Sequence, residues 1–315
     1  MNQRVRGCRN VATVTLALTL AVVPGACSED SESGGTGASS TPQAAVPQAE
    51  TPAPPPELPL GGRTIFPRYR VVAYYGSIGG GTLGVLGEEP PDRIVRRLRA
   101  AAEPFDTPER PVQIAFELIV RIADRKPGPR GIYSHSIKPA VIREYIAAAE
   151  RAKALVILDI QPGRLSFPDA IKPYRWALEH PNVGIALDPE WRVAWNQVPG
   201  KVIGQVSAAE VNEASAYVAD IVRTEQLPEK LFLLHQFRRR MLPDIERIVP
   251  RPGLAMVQHV DGFGTRPAKD ATYAAVRRPE QFHLGYKLFY DEDVALYRPA
   301  EVLAFSHPPE YVSYQ

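Results

Sequence analysis

Asp188-Pro-Glu190-Trp191 puts two carboxyl groups and an indole within four residues. Two neighbouring carboxyls divide acid and base work when their surroundings drive their pKa values apart. A tryptophan face beside them suits the apolar face of a sugar ring. The group follows Val183-Gly-Ile-Ala-Leu187, an apolar run bounded by Pro181-Asn182 and Pro189. Such a run reads as a strand buried on both faces, as in a parallel sheet. If the extended chain continues through Pro189, side-chain alternation points Asp188 and Glu190 the same way, with Cα atoms about 6.6 Å apart.

The chain repeats this arrangement. Apolar runs at 71–75, 112–117, 154–160, 183–187, 230–235, 254–259, 283–289 and 311–314 predict eight strands. Helical patterns separate them at 92–102, 139–153, 167–180, 207–225, 239–248, 270–276 and 299–304, with Ser207-Ala-Ala-Glu210 as a capping box and Pro299 at a first helical position. Alternating strands and helices with short loops mean a parallel sheet. Eight units favour a single-domain (β/α)8 TIM barrel over the rival open, doubly wound sheet, and residues 63–315 are the usual length for one.

Barrel chemistry sits at the carboxyl ends of the strands. Those ends carry Tyr74-Tyr75, Glu117, Asp159 with Gln161, Asp188 with Glu190 and Trp191, His235-Gln236, His259 with Asp261, Lys287 with Tyr290 and Asp291, and Ser313-Tyr314. One such residue is more often a structural hydrogen-bonder than a functional group; the collection is the signal. Glu190, Asp188 and Asp261 are the expected acid–base carboxyls. Tyr75, Glu117, Asp159, Gln161, Trp191, His235, His259, Lys287 and Tyr290 are the expected substrate contacts.

Two other motifs compete. Gly79-Gly-Gly-Thr-Leu-Gly84 fits the dinucleotide fingerprint, but that fingerprint needs a helix opening inside the loop. Gly87 and Pro90-Pro91 intervene first, so a mouth loop is expected. His235, His259, Asp261, Asp188 and Glu190 are acceptable metal ligands. However, Tyr74-Tyr75 stands where barrel metallohydrolases usually place a His-x-His, and no dense ligand spacing appears. A metal-dependent hydrolase is therefore an alternative, and the main reading needs no metal or cofactor.

Asp188-Pro-Glu190-Trp191 after the fourth strand, together with Val-Val-Ala-Tyr-Tyr-Gly on the first, resembles the chitinase-like family 18 glycoside hydrolases. The resemblance implies a (β/α)8 barrel, Glu190 as general acid, and Asp188 helping a substrate N-acetyl group act as nucleophile. Two earlier aspartates of that family's motif fall on Val183 and Ala186, and the last strand lacks the family's tryptophan. The lipobox-like start, the Pro/Ala-rich stretch and the YYGSIGGG, LDIQPG, LDPEW and HVDGFG segments resemble a family of actinobacterial lipoproteins with a TIM-barrel domain. That resemblance implies no particular activity.

The amino terminus predicts export. Arg4, Arg6 and Arg9 precede an uncharged apolar stretch at 11–23, shorter than the roughly 20 residues of a membrane span. Pro24-Gly-Ala-Cys27 follows, so residues 1–26 read as a lipoprotein-type signal peptide with Cys27 lipidated. Residues 27–62, rich in Ser, Gly, Pro and Ala, read as a disordered tether. The signal carries three of the 37 basic residues and none of the 35 acidic ones, so the remainder has formal charge −1. That balance excludes a nucleic-acid surface or polybasic membrane patch. The only cysteines are Cys8 and Cys27, which leaves no disulfide or catalytic thiol in the domain. Together these features predict an exported, membrane-anchored barrel that hydrolyses a cell-wall or extracellular glycan, or else a non-catalytic glycan-binding scaffold.

Overall fold

The computed structural model describes residues 54–315 except 80 and 82. The expected signal peptide, Cys27 and the tether up to residue 53 lie outside the described residues. No helix among the described residues is long and apolar enough to cross a membrane.

Among the described residues nine strands run in chain order: β1 Arg70–Gly76, β2 Val112–Ala123, β3 Ser134–Ser136, β4 Leu155–Ile160, β5 Val183–Leu187, β6 Lys230–His235, β7 Leu254–Val260, β8 His283–Leu288 and β9 Tyr311–Tyr314. Eight are parallel neighbours in the order β1-β9-β8-β7-β6-β5-β4-β2, and pairing of β1 with β2 closes the barrel. The short β3 pairs antiparallel with the far end of β2. The helices are α1 Pro91–Ala102, α2 Pro139–Ala152, α3 Phe167–Ile171, α4 Arg175–Leu178, α5 Ala208–Thr224, α6 Arg266–Val276 and α7 Pro299–Leu303. This is the expected single-domain (β/α)8 barrel.

Strand alternation divides the core in two. Val72, Tyr74, Phe116, Val156, Leu158 and Phe232 face the helix layer, while Val71, Ala73, Ala115, Ile157, Leu233 and Val257 fill the lumen. Small lumen residues let bulkier ones in: a Cβ on Gly285 would stand 3.0 Å from the His259 ring. Leu58, Ile65, Phe66 and Tyr69 join the lumen cluster from the chain preceding β1. Leu58 is only 4% exposed, and Arg63 donates to the carbonyls of Gln226 and Leu227. The packed body therefore starts before residue 63, because Leu58 buries apolar area that a free tether would leave in water.

Three expectations about elements are corrected. The 239–248 stretch forms only two 3-10 turns, since Pro243 cannot continue a helix. The 167–180 helix is broken into α3, a 3-10 turn holding Pro173, and α4. Strand β2 runs six residues past Glu117, through Leu118-Ile-Val-Arg-Ile-Ala123, so Glu117 is a mid-strand lumen residue.

Candidate active site

The Asp188–Glu190 pair is built differently from the extended arrangement the spacing suggested. Strand β5 stops at Leu187, and Pro189–Trp191 turn into a 3-10 helix with Asp188 as its N-cap. The Glu190 amide donates to Asp188 Oδ1 at 3.2 Å. The turn is clamped from outside, where the Gly204 amide donates to the Glu190 carbonyl at 2.6 Å. A Cβ on Gly204 would stand 2.4–2.7 Å from the carbonyl oxygens of Arg192, Pro189 and Glu190, so only glycine fits there.

Above the turn, a cavity of about 450 Å³ opens at the carboxyl end of the barrel. Of the sequence-predicted residues, Tyr75, Gln161, Asp188, Glu190, Trp191, Asp261 and Lys287 line it. Four others lie sealed in the lumen and do not line it: Glu117, Asp159, His235 and His259, all with no exposed surface. Tyr290 is turned elsewhere. It stacks on Tyr314 with ring centroids 5.1 Å apart, hydrogen-bonds Tyr74, and lines a separate pocket with Gly81, Gly84 and Asp291.

The sealed residues form one polar layer. His235 lies 2.7 Å through Nε2 from Glu117 Oε1 and 2.8 Å through Nδ1 from Asp261 Oδ2. Tyr311 donates to the other Glu117 oxygen at 2.7 Å. Burial alone would lower the His235 pKa, but Glu117 and Asp261 outweigh it and hold the ring well above its ordinary value. His235 is therefore an imidazolium donating from both nitrogens. Beside it, burial and the His235 charge push His259 well below its ordinary value, and this neutral ring meets Ser313 through Nε2 at 3.0 Å. On the opposite wall, Tyr75 donates to Asp159 at 2.9 Å while the Lys287 ammonium sits 3.3 Å from the Tyr75 ring centroid. Burial lifts Asp159 to about 6 against the opposing pull of His235.

This layer sets the two cavity carboxyls apart. Burial opposes ionisation of Asp261, yet its bond to charged His235 wins and holds its pKa below the ordinary value. Glu190 goes the other way: burial, then the nearby Asp261 charge, raise it to about 7. Asp188, buried among Asp159, Glu190 and Asp261, is pushed well above the carboxylate range and stays neutral. Asp261 Oδ1 has no hydrogen-bond partner among the described residues.

Glu117, His235 and His259 also bring three potential metal-ligand atoms within 4.8 Å of one another. Both His235 nitrogens are already engaged by carboxylates, and the group lies beneath the cavity rather than on its wall. A catalytic metal needs an open coordination position. We therefore assign the three residues to the charge network that holds Asp261 ionised.

Several wall residues are absent from the sequence-derived set. Phe237, Arg238, Phe263 and Phe289 line the cavity from the loops after β6, β7 and β8. Two of those loops are tied together by a buried Lys269–Asp293 pair at 2.6 Å, in which Asp293 also accepts the amides of Gly264 and Phe289. The signal that could have found them is adjacency: Phe237 and Phe263 each follow a polar strand end by two residues. The glycine-rich stretch contributes Leu83 to the wall; among the described residues it leads only into a three-residue 3-10 turn, Val85–Gly87, and α1 begins at Pro91, so the α-helix that nucleotide binding would require does not open there. No protein-family model matches this chain, and no curated protein matches it in sequence.

Proposed function

We propose that this chain is an exported, lipid-anchored hydrolase that cleaves a cell-wall or extracellular glycan at the barrel mouth. Glu190 is the general acid and Asp261 the ionised partner. The observation that carries the reading is that both carboxyls line one cavity while their surroundings drive them in opposite directions, Glu190 up to about 7 and Asp261 down. Glu190, about half protonated near neutral pH, gives its proton to the leaving glycosidic oxygen. Asp261, held ionised by its bond to His235 through Oδ2, is the partner that attacks the anomeric carbon or activates a water. Asp188 positions the acid by accepting the Glu190 amide. Trp191, Phe263 and Phe289 offer apolar walls to a sugar face, and Lys287, Gln161 and Gln315 offer polar contacts. Export and anchoring rest on the basic, apolar and Cys27-terminated leader.

A screen of bacterial and fungal wall glycans for new reducing ends tests the reading, with wild type and Glu190→Gln side by side. The substitution keeps shape and hydrogen bonding, so binding should hold while turnover falls by about 10²–10⁴. Equal turnover removes Glu190 as the acid, and binding without cleavage of any glycan makes the barrel a scaffold. Activity should survive chelation; its loss would move the assignment to a metal-dependent hydrolase using Glu117, His235 and His259. The anomer first released tells whether Asp261 attacks carbon or activates water.

A further inference from the structure

Glu190 belongs to two spaces at once. Besides the mouth cavity it lines a larger groove of about 880 Å³, built from the 192–207 loop and the chain after β6. Pockets of roughly 300–1,000 Å³ suit a drug-sized ligand. Two such spaces sharing Glu190 as a wall residue suit a chain of several sugars running from one to the other.

The groove is polar and its charges are uneven. Arg192 is matched by Glu210, through two bonds of 2.9 and 3.1 Å. Lys201 and Arg240 also line it, and neither has a carboxylate partner among the described residues. Arg238 repeats this on the cavity side, where its guanidinium lies 5.8 Å from the Phe237 ring. The acids on these walls offset little: Glu210 is paired with Arg192, Asp261 with His235, and Glu190 and Asp188 are held toward their neutral forms. Aromatic platforms flank both spaces, with Trp195 on the groove 64% exposed and Phe263 at the cavity 65% exposed. Exposed aromatic faces between unpaired cations fit sugar rings that carry anions.

We infer that the groove and cavity form one cleft for an anionic polysaccharide, whose uronate carboxylates or phosphate substituents meet Arg238, Lys201 and Arg240 while its rings stack on Trp195. This substrate class rests on the glycan reading above. Binding is measured separately from turnover, so the two can fail separately.

Affinity electrophoresis of the whole mature protein would compare polymers matched in backbone: polygalacturonate against its methyl ester, and phosphomannan against unphosphorylated mannan. Wild type should bind at least one anionic member about tenfold or more tightly than its neutral match, with the preference shrinking in high salt. The matched pairs distinguish carboxylate from phosphate. Lys201→Gln with Arg240→Gln should erase the preference without lowering the melting temperature, since both side chains are exposed. Arg93→Gln with Arg96→Gln on α1 should leave it intact. Trp195→Ala should weaken anionic and neutral polymers alike. Equal binding of matched polymers, or equal loss in the α1 variant, overturns the inference even if a neutral glycan is cleaved through Glu190. An anionic preference that needs Lys201 and Arg240, in a protein that cleaves nothing, upholds the cleft and removes only hydrolysis.

Discussion

His235 Nδ1 stands 2.8 Å from Asp261 Oδ2, and through that bond a fully buried imidazolium holds a cavity carboxylate in its ionised form. Glu117, on the far side of the ring, supplies the second negative charge that keeps His235 protonated. The Glu117–His235 pair thus acts on the cavity through Asp261, and its perturbation has a readable consequence.

Activity should depend on pH in a defined direction. Glu190 works only while protonated, so turnover should fall as pH rises through about 7. Asp261 works only while ionised, so the acid limb should lie below the ordinary aspartate value, because His235 lowers its pKa. A profile of kcat/KM against pH checks both limbs. A flat profile through neutrality would contradict the role of Glu190.

Glu117→Gln removes one partner of a buried charge pair and should cost about 3–5 kcal/mol of folding stability. Denaturant titration measures the cost. The same substitution should shift the acid limb of activity upward, because a less firmly protonated His235 holds Asp261 less well. A purely structural Glu117 would change stability and leave the limb in place.

Gly204→Ala tests the turn without removing any charged group. Gly204→Ala adds a Cβ against three carbonyl oxygens of the 189–192 turn, so that turn must move. Overpacking of this kind costs about 1–3 kcal/mol. A displaced general acid can cost about 10²-fold in rate. The expected result is a folded protein with kcat reduced far more than binding. Full activity would mean that the turn does not fix Glu190.

The barrel was legible because parallel strands covered on both faces read as unbroken apolar runs, and all eight such runs are strands. The polar residues ending those runs pointed to the mouth for the same reason. Depth was not legible. Glu117 resembles a strand end only because it is charged, whereas β2 carries on through β-branched residues behind it. The Ser-His-Ser strand β3 is too short and polar to announce itself. Asp188 and Glu190 share the cavity, as their spacing suggested, but by way of a 3-10 turn held by Gly204, a contact no local pattern encodes. Tyr290 lies outside the mouth cavity because it stacks on Tyr314, which faces the helix layer.

Leu58 tests where the folded body begins. Its burial against the lumen plug predicts that Leu58→Ala costs about 2–5 kcal/mol. A chain beginning at Gly62 should likewise melt below one beginning at Ala53. Equal melting would return these residues to the tether.

Glu190 should contribute to the pH dependence of stability, and the sign follows from which state holds protons more tightly. Glu190 titrates at about 7 in the folded chain against an ordinary 4.5, and Asp159 at about 6 against 3.8. Their contribution is complete below the unfolded values and is lost as pH rises through the folded ones. His235 adds in the same direction, its contribution being lost as pH passes its raised folded value. Asp261 opposes, since its depressed pKa gives stability that is lost only as pH falls through the lowered value. His259 and Lys230 also oppose, since burial depresses their pKa values and the stability this gives at higher pH is lost as pH falls. Glu190 by itself therefore favours a higher melting temperature near about pH 5 than near about pH 8. Glu190→Gln, which cannot ionise, should remove that contribution while leaving the loss at strongly acidic pH unchanged. If the variant shows the same pH dependence of melting as wild type, Glu190 does not carry the raised pKa on which its role as acid depends.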